Sequence, residues 1–163
     1  MEQYWLLKSE PTTFSIDDLI KAPRQTTCWE GVRNYQARNF LKSMKVGDLG
    51  FFYHSNADPP GIVGIIEVVK AAYPDSFAFD PKSRYFDPRS APDSPRWFLV
   101  DVRFVKKFPQ ALPLDQLRAL KGLEKMELLR KGSRLSVQPV RPEEWQRVLE
   151  FVPEKTRSSS TLK

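Results

Sequence analysis

The run IVGIIEVV, residues 62–69, narrows what this chain can fold into more than any other stretch. Nearly every position is apolar, the pattern of a strand covered on both faces rather than one with a wet side. Gly64 inside the run predicts a bulge or the close approach of another group. Residues 3–8 and 49–54 are short and rich in strand formers, so both are expected strands. Over 96–108, Trp97, Leu99, Asp101 and Arg103 share one face and Phe98, Val100, Val102 and Phe104 the other, which predicts a long twisted strand. A last strand is expected over 134–138, with Leu135 and Val137 inward.

Short helices fill the joints. One is expected over 14–20, capped by Ser15 with Asp18 three residues on. Ala37, Phe40, Leu41 and Met44 recur at the spacing of one helical face, and Gly47-Asp48 then turns the chain. Two more helices are expected over 114–120 and 123–130, the second ended by Lys131-Gly132. A terminal helix begins at Pro142 and turns Trp145, Val148, Leu149 and Val152 inward. Residues 55–61 form a turn-rich loop, and 72–95 form a long one whose Tyr73, Phe77, Phe79, Tyr85 and Phe86 pack it down. Loops of that length are often functional. The pattern is α+β, a small mixed β-barrel of five to six strands with short peripheral helices. Strands and helices do not alternate regularly, which argues against a parallel α/β sheet. One domain is expected over 1–152, followed by a disordered tail over 153–163.

Charge and the rare residues bound the chemistry. Lys and Arg number 26 against 20 Asp and Glu. That excess suits a polyanionic partner, and equally a basic protein without one. Cys28 is the sole cysteine and His54 the sole histidine, so an intrachain disulfide and zinc sites needing several such ligands are excluded. Asp75, Asp80, Asp87 and Asp93 lack calcium-loop spacing, and Gly61 and Gly64 form no phosphate-loop fingerprint. Neither metal nor cofactor is expected. Glu2 stands where a secretory signal would be basic, and no stretch nears the roughly 18 apolar residues of a membrane span. The expectation is an intracellular protein without membrane contact, in cytoplasm or nucleoid, or in the nucleus if the source is eukaryotic. Its oligomeric state is open, with a slight lean to a monomer.

Residues 26–48 bring an aromatic surface, side-chain amides and positive charge together: Trp29, Asn34 and Tyr35 stand at the helix entry, and Arg38, Asn39, Lys42 and Lys45 fall off its apolar face. A planar, hydrogen-bonding ligand attached to a phosphate chain needs that mixture. Plainer readings stand beside it: Trp29 as a core tryptophan, Asn34 as a helix N-cap, Tyr35 as packing. Arg33, Arg38, Arg130, Lys131 and Arg134 are candidates for phosphate, with Gly132 letting backbone amides join them, or are solvated surface. His54 at a strand end reads more naturally as a satisfied structural residue than as a catalyst, and nothing resembles a nucleophile elbow.

Five motifs occur in order: KSEP, CWEGVRNYQARNF, FFYHSN, PGIVGIIEV and KGSRLSVQP. Together, over about residues 3–152, they resemble the EVE domain, and within it the thymocyte nuclear protein family. The resemblance implies a PUA-like barrel related to YTH domains, which read methylated adenine in RNA through an aromatic cage. It also implies reading of modified bases in DNA, methylated or further oxidised cytosines among them. By the same resemblance, Trp29 matches a cage tryptophan, Ser9 lies beside the pocket, and Asn34, Tyr35, His54 and Ser55 come from the matching blocks. The second aromatic wall falls to Trp97, Tyr85 or Phe86. Glu10 either accepts from a cytosine-type amino group or is a solvated turn acid.

The function expected is a non-catalytic nucleic-acid-binding module, with DNA ahead of RNA, that takes a modified base by stacking and hydrogen bonding. Stacking on an aromatic ring returns about 1–3 kcal/mol per base. A buried methyl adds only about 0.8 kcal/mol, so discrimination needs a fitted slot. The rivals are a small-nucleotide or metabolite binder and a base-acting enzyme using His54 or Glu10 as acid and base.

Overall fold

Alternation along the strands decides the architecture. In the computed structural model, which describes residues 3–152, β1 (Tyr4–Ser9) sends Trp5 and Leu7 to one face and Leu6 to the other. β3 (Leu49–His54) sends Phe52 to the first face and Phe51 and Tyr53 to the second. β4 (Gly61–Pro74) is buried on both faces over its apolar run, supplying Val63, Ile66 and Val68 to the first and Ile62 and Ile65 to the second. β2 (Thr26–Cys28), β5 (Phe98–Pro113) and β6 (Val137–Val140) complete one six-stranded sheet in the order β2-β5-β4-β3-β1-β6. β1 and β3 run parallel, and the other neighbours are antiparallel.

The first face is covered by α1 (Ile16–Lys21) and α2 (Tyr35–Ser43), through Ile16, Leu19, Ala37 and Leu41. The second is covered by α3 (Leu114–Arg118) and α4 (Pro142–Glu150), through Leu117, Trp145 and Val148. The α+β class, the mixed strand directions and the short helices are as expected. The barrel is corrected: among the described residues the ladder has two edges, β2 and β6, and is open. These edge strands are three and four residues long and pair on one side only, too little ladder to close the sheet.

Local predictions are met where the signal is local. The Ser15 hydroxyl accepts from Asp18 N at 3.1 Å while the Asp18 carboxylate accepts from Ser15 N at 2.8 Å, the reciprocal cap of α1. Gly64 sits at a register shift of the β4–β5 ladder, and a Cβ there would collide with the Lys106 carbonyl and the Ile16 side chain. Its bare backbone lets α1 rest on the sheet.

Other elements differ from expectation. β2 is additional, and β4 and β5 run on to Pro74 and Pro113. The helix expected over 123–130 reduces to a 3-10 turn at Glu127–Leu129, because Met126 before it is extended. The last strand begins at Val137. The tail expected over 153–163 lies outside the described residues. Among the described residues no helix is long and apolar enough to cross a membrane.

Candidate nucleic-acid interface

Chain segments leaving the sheet meet over its first face. The end of β1 brings Lys8 and Ser9, the turn after β2 brings Trp29, Glu30 and Gly31, and the proline-rich loop adds Arg84 and Tyr85; these line a cleft of about 210 Å³. Trp29 is held twice, by its backbone N–H to the Val100 carbonyl at 2.8 Å and by an edge-to-face contact with Phe52 at 5.4 Å. It is 7% exposed, so it is both core and cleft wall. Tyr85 joins Trp29 and Phe14 among the aromatics of the lining. Its ring lies so close over Gly31 that a Cβ there would come within 2.5 Å of it, and Gly31 has φ +84°. Glycine is required at that position on both counts.

Asp75 fixes this arrangement. Fully buried, its carboxylate accepts from Gly31 N at 2.9 Å, Phe77 N at 3.0 Å and the Arg33 guanidinium at 3.0 Å. Arg33 also donates twice to the Tyr85 carbonyl, at 2.6 and 3.2 Å, and once to its neighbour Val32. Its donors are thus committed to holding the aromatic loop against the Trp29 turn.

The polar lining divides into engaged and free groups. The Ser9 hydroxyl donates to the Phe14 carbonyl at 2.6 Å. The exposed Glu10 carboxylate accepts from the Asn56 amide at 2.9 Å. Lys8 is half-buried, lies 5.7 Å from the centre of the Tyr53 ring, and has no ion pair among the described residues. Burial lowers its pKa, and the charge of Glu127 partly offsets this. Glu30 is half-buried and, among the described residues, meets only the Cys28 thiol, at 3.8 Å. Burial, and then the Glu30 charge, push the Cys28 thiol up to about 11, so it remains a neutral, weakly reactive group at pH 7.

A second, more open groove of about 260 Å³ lies beyond Asn34, lined by Gln36, Glu127, Arg130, Lys131 and Arg134. It adjoins the cleft in sequence, since Val32 and Ser136 line the cleft while Asn34 and Leu135 line the groove. Asn34 caps α2 through its side-chain oxygen, which accepts from Ala37 N at 2.9 Å, and its amide NH₂ is left for other partners. Glu127 is drawn inward by the Ser133 hydroxyl at 2.7 Å and by Arg130 at 3.6 Å.

Several expected residues stand elsewhere. Tyr35, 50% exposed, stacks on Trp97 at 4.8 Å and lines neither cavity. Trp97 donates its indole N–H to Asp87 at 2.6 Å and so pins the proline-rich loop. Phe86 is exposed and outside the lining. Arg38 lies over the Tyr35 ring and bonds the Arg96 carbonyl at 2.9 Å and the Asn39 side chain. His54 Nε2 accepts from Ile16 N at 3.1 Å at the start of α1, and burial lowers its pKa. With its basic nitrogen occupied it serves the helix. Ser55 contributes a backbone N–H to the Ser9 carbonyl at 3.0 Å. Lys8, Glu30 and Asp75 escaped the sequence reading; the KSEP and CWEGV motifs contain two of them, and a buried partner for Arg33 was the missing clue to the third.

The EVE domain family model matches residues 3–151. Human thymocyte nuclear protein 1 is 46% identical over 165 residues, covering 91% of this chain and 73% of the relative. A crystal structure of human THYN1 protein in complex with 5-methylcytosine-containing DNA matches with a TM-score of 0.88 at 44% identity, covering 92% of this chain and 97% of that one. A Pseudomonas putida protein matches with a TM-score of 0.87 at 50% identity, covering 90% and 97%.

Proposed function

The chain belongs to the EVE domain family, and on that premise we propose that it is a non-catalytic DNA-binding module that takes a modified, cytosine-type base into the Trp29–Tyr85 cleft. The observation that carries this reading is the junction of two unlike cavities. One has three aromatic residues, Phe14, Trp29 and Tyr85, and a polar floor, and the other carries Arg130, Lys131 and Arg134 beside the free amide of Asn34. A nucleotide has the same two halves, a planar base and a charged phosphate. The 5-methylcytosine DNA bound by the human THYN1 protein supports the choice of base. The relatives named nuclear suggest a nuclear address in eukaryotes.

Roles divide accordingly. Trp29 and Tyr85 stack on the base, with about 1–3 kcal/mol expected from each well-formed contact. Ser9, Glu10 and Glu30 face its edge. Arg130, Lys131 and Arg134 take phosphates, while Arg33 holds the wall that Tyr85 forms. The basic groove supplies affinity that falls with salt.

Titration into labelled oligonucleotides, plain and 5-methylated at cytosine, tests the reading at two salt concentrations. Trp29→Ala should abolish the preference for the modified base while leaving the salt dependence. Equal binding to all oligonucleotides, untouched by Trp29→Ala in a folded protein, would refute it.

A further inference from the structure

A site for 5-methylcytosine in DNA meets two competitors. Cytosine lacks the methyl. Thymine carries the same ring methyl on nearly the same outline, and it is everywhere in DNA. Stacking on Trp29 and Tyr85, or a slot fitted to the methyl, treats thymine and 5-methylcytosine alike. We propose that Glu30 is the group that excludes thymine from this cleft. The inference rests on the base-binding reading of the same cleft and adds the residue that sets its base identity.

The two bases differ along one edge. Cytosine presents an amino donor at position 4 and an acceptor at N3, whereas thymine presents a carbonyl at position 4 and an N–H at N3. A carboxylate accepts from the amino group and repels the carbonyl.

The cleft supplies that carboxylate in an unsatisfied form. Of its two glutamates, Glu10 is exposed and already accepts from Asn56 at 2.9 Å. Glu30 is half-buried, and among the described residues its carboxylate meets only a thiol, at 3.8 Å. A bound base displaces water from it. One that leaves it unpaired is rejected by far more than a methyl can contribute, since sites built around a hydrogen-bonding edge discriminate by orders of magnitude. A lone buried methyl is worth only about fourfold in affinity.

The test uses single-stranded oligonucleotides of one sequence carrying cytosine, 5-methylcytosine or thymine at a single position, read by fluorescence anisotropy. The wild type should bind 5-methylcytosine more than about tenfold tighter than thymine. Glu30→Gln should cut that ratio by about tenfold or more, because its amide can donate to the thymine carbonyl. Circular dichroism melts check that Glu30→Gln and Trp29→Ala fold, and the ratio of two ligands on one protein is insensitive to the folded fraction. If Glu30→Gln leaves the 5-methylcytosine-to-thymine ratio intact while Trp29→Ala removes 5-methylcytosine binding, the inference fails and the base-binding reading stands. If all three bases bind equally to the wild type and Trp29→Ala changes nothing, both fall.

Discussion

The two faces of the sheet each centre on a tryptophan, and the two tryptophans are treated differently. On the second face Trp145, carried by α4, stacks with both Tyr4 at 4.5 Å and Phe51 at 4.0 Å and is buried. On the first face Trp29 has Phe52 at its edge and a cleft beside it. Where apolar packing is interrupted, buried carboxylates take over the work of holding the walls. Asp75 gathers Gly31, Phe77 and Arg33, and Asp48 gathers Gln3, Trp5 and Lys45. A face can be left open for a ligand if hydrogen bonds to a few fixed charges replace the missing contacts.

This contrast can be broken or sharpened by substitution. The largest effect belongs to the closed face: Trp145→Ala should cost about 3–5 kcal/mol in denaturant unfolding, with DNA affinity unchanged in the fraction that folds. Lost affinity in well-folded Trp145→Ala would mean the faces are not separable. On the open face Asp75→Asn removes a buried charge while keeping its shape. It should cost about 2–3 kcal/mol and, unlike Trp145→Ala, also weaken modified-base binding, because Tyr85 loses its tether. Tyr85→Ala should leave the melting temperature nearly unchanged and weaken the modified-base complex by about 1–3 kcal/mol. A large stability loss there would make Tyr85 core rather than wall.

The smallest effect concerns His54. Burial, with Lys107 adding to it, holds its pKa below 6.5 against the opposing charges of Asp17 and Asp18. The unfolded chain therefore takes up a proton near pH 6.5 that the folded protein refuses. Stability should fall as pH drops from 6.5 and level off once the folded value is passed. The single histidine resonance in proton NMR should show a midpoint below 6.5, and His54→Gln should flatten that limb of the stability profile. A midpoint above 6.5 would show the imidazole is not buried against α1.

Much of the fold was legible because its signals are local. The Ser15–Asp18 cap, the α2 face through Ala37 and Leu41, and the doubly covered 62–69 run each sit within a few residues. What was not legible depends on partners far along the chain. β2 is three polar-leaning residues that become a strand only because β5 offers Asp101 to Arg103 as a ladder. The same pairing carries β4 and β5 into stretches containing proline. At the site, Trp29 could be picked from its motif, but the direction of Arg33 could not. Its partner Asp75 lies in another loop and turns a surface cation into an internal clamp. Tyr85 was one of three candidate walls, and its place in the cleft lining follows from a fit against Gly31 that no spacing encodes.

The placement of β1 between β3 and β6 bears on when this protein becomes useful during its own synthesis. β1 emerges first among the strands and pairs early with β3, but its other edge waits for Val137–Val140. That late arrival brings Ser136, whose carbonyl takes the Lys8 N–H at 2.8 Å, so the floor of the cleft is stitched by the segment leading into the last strand of the sheet. Until then the nascent chain carries an unpaired strand edge, a hazard for misassembly.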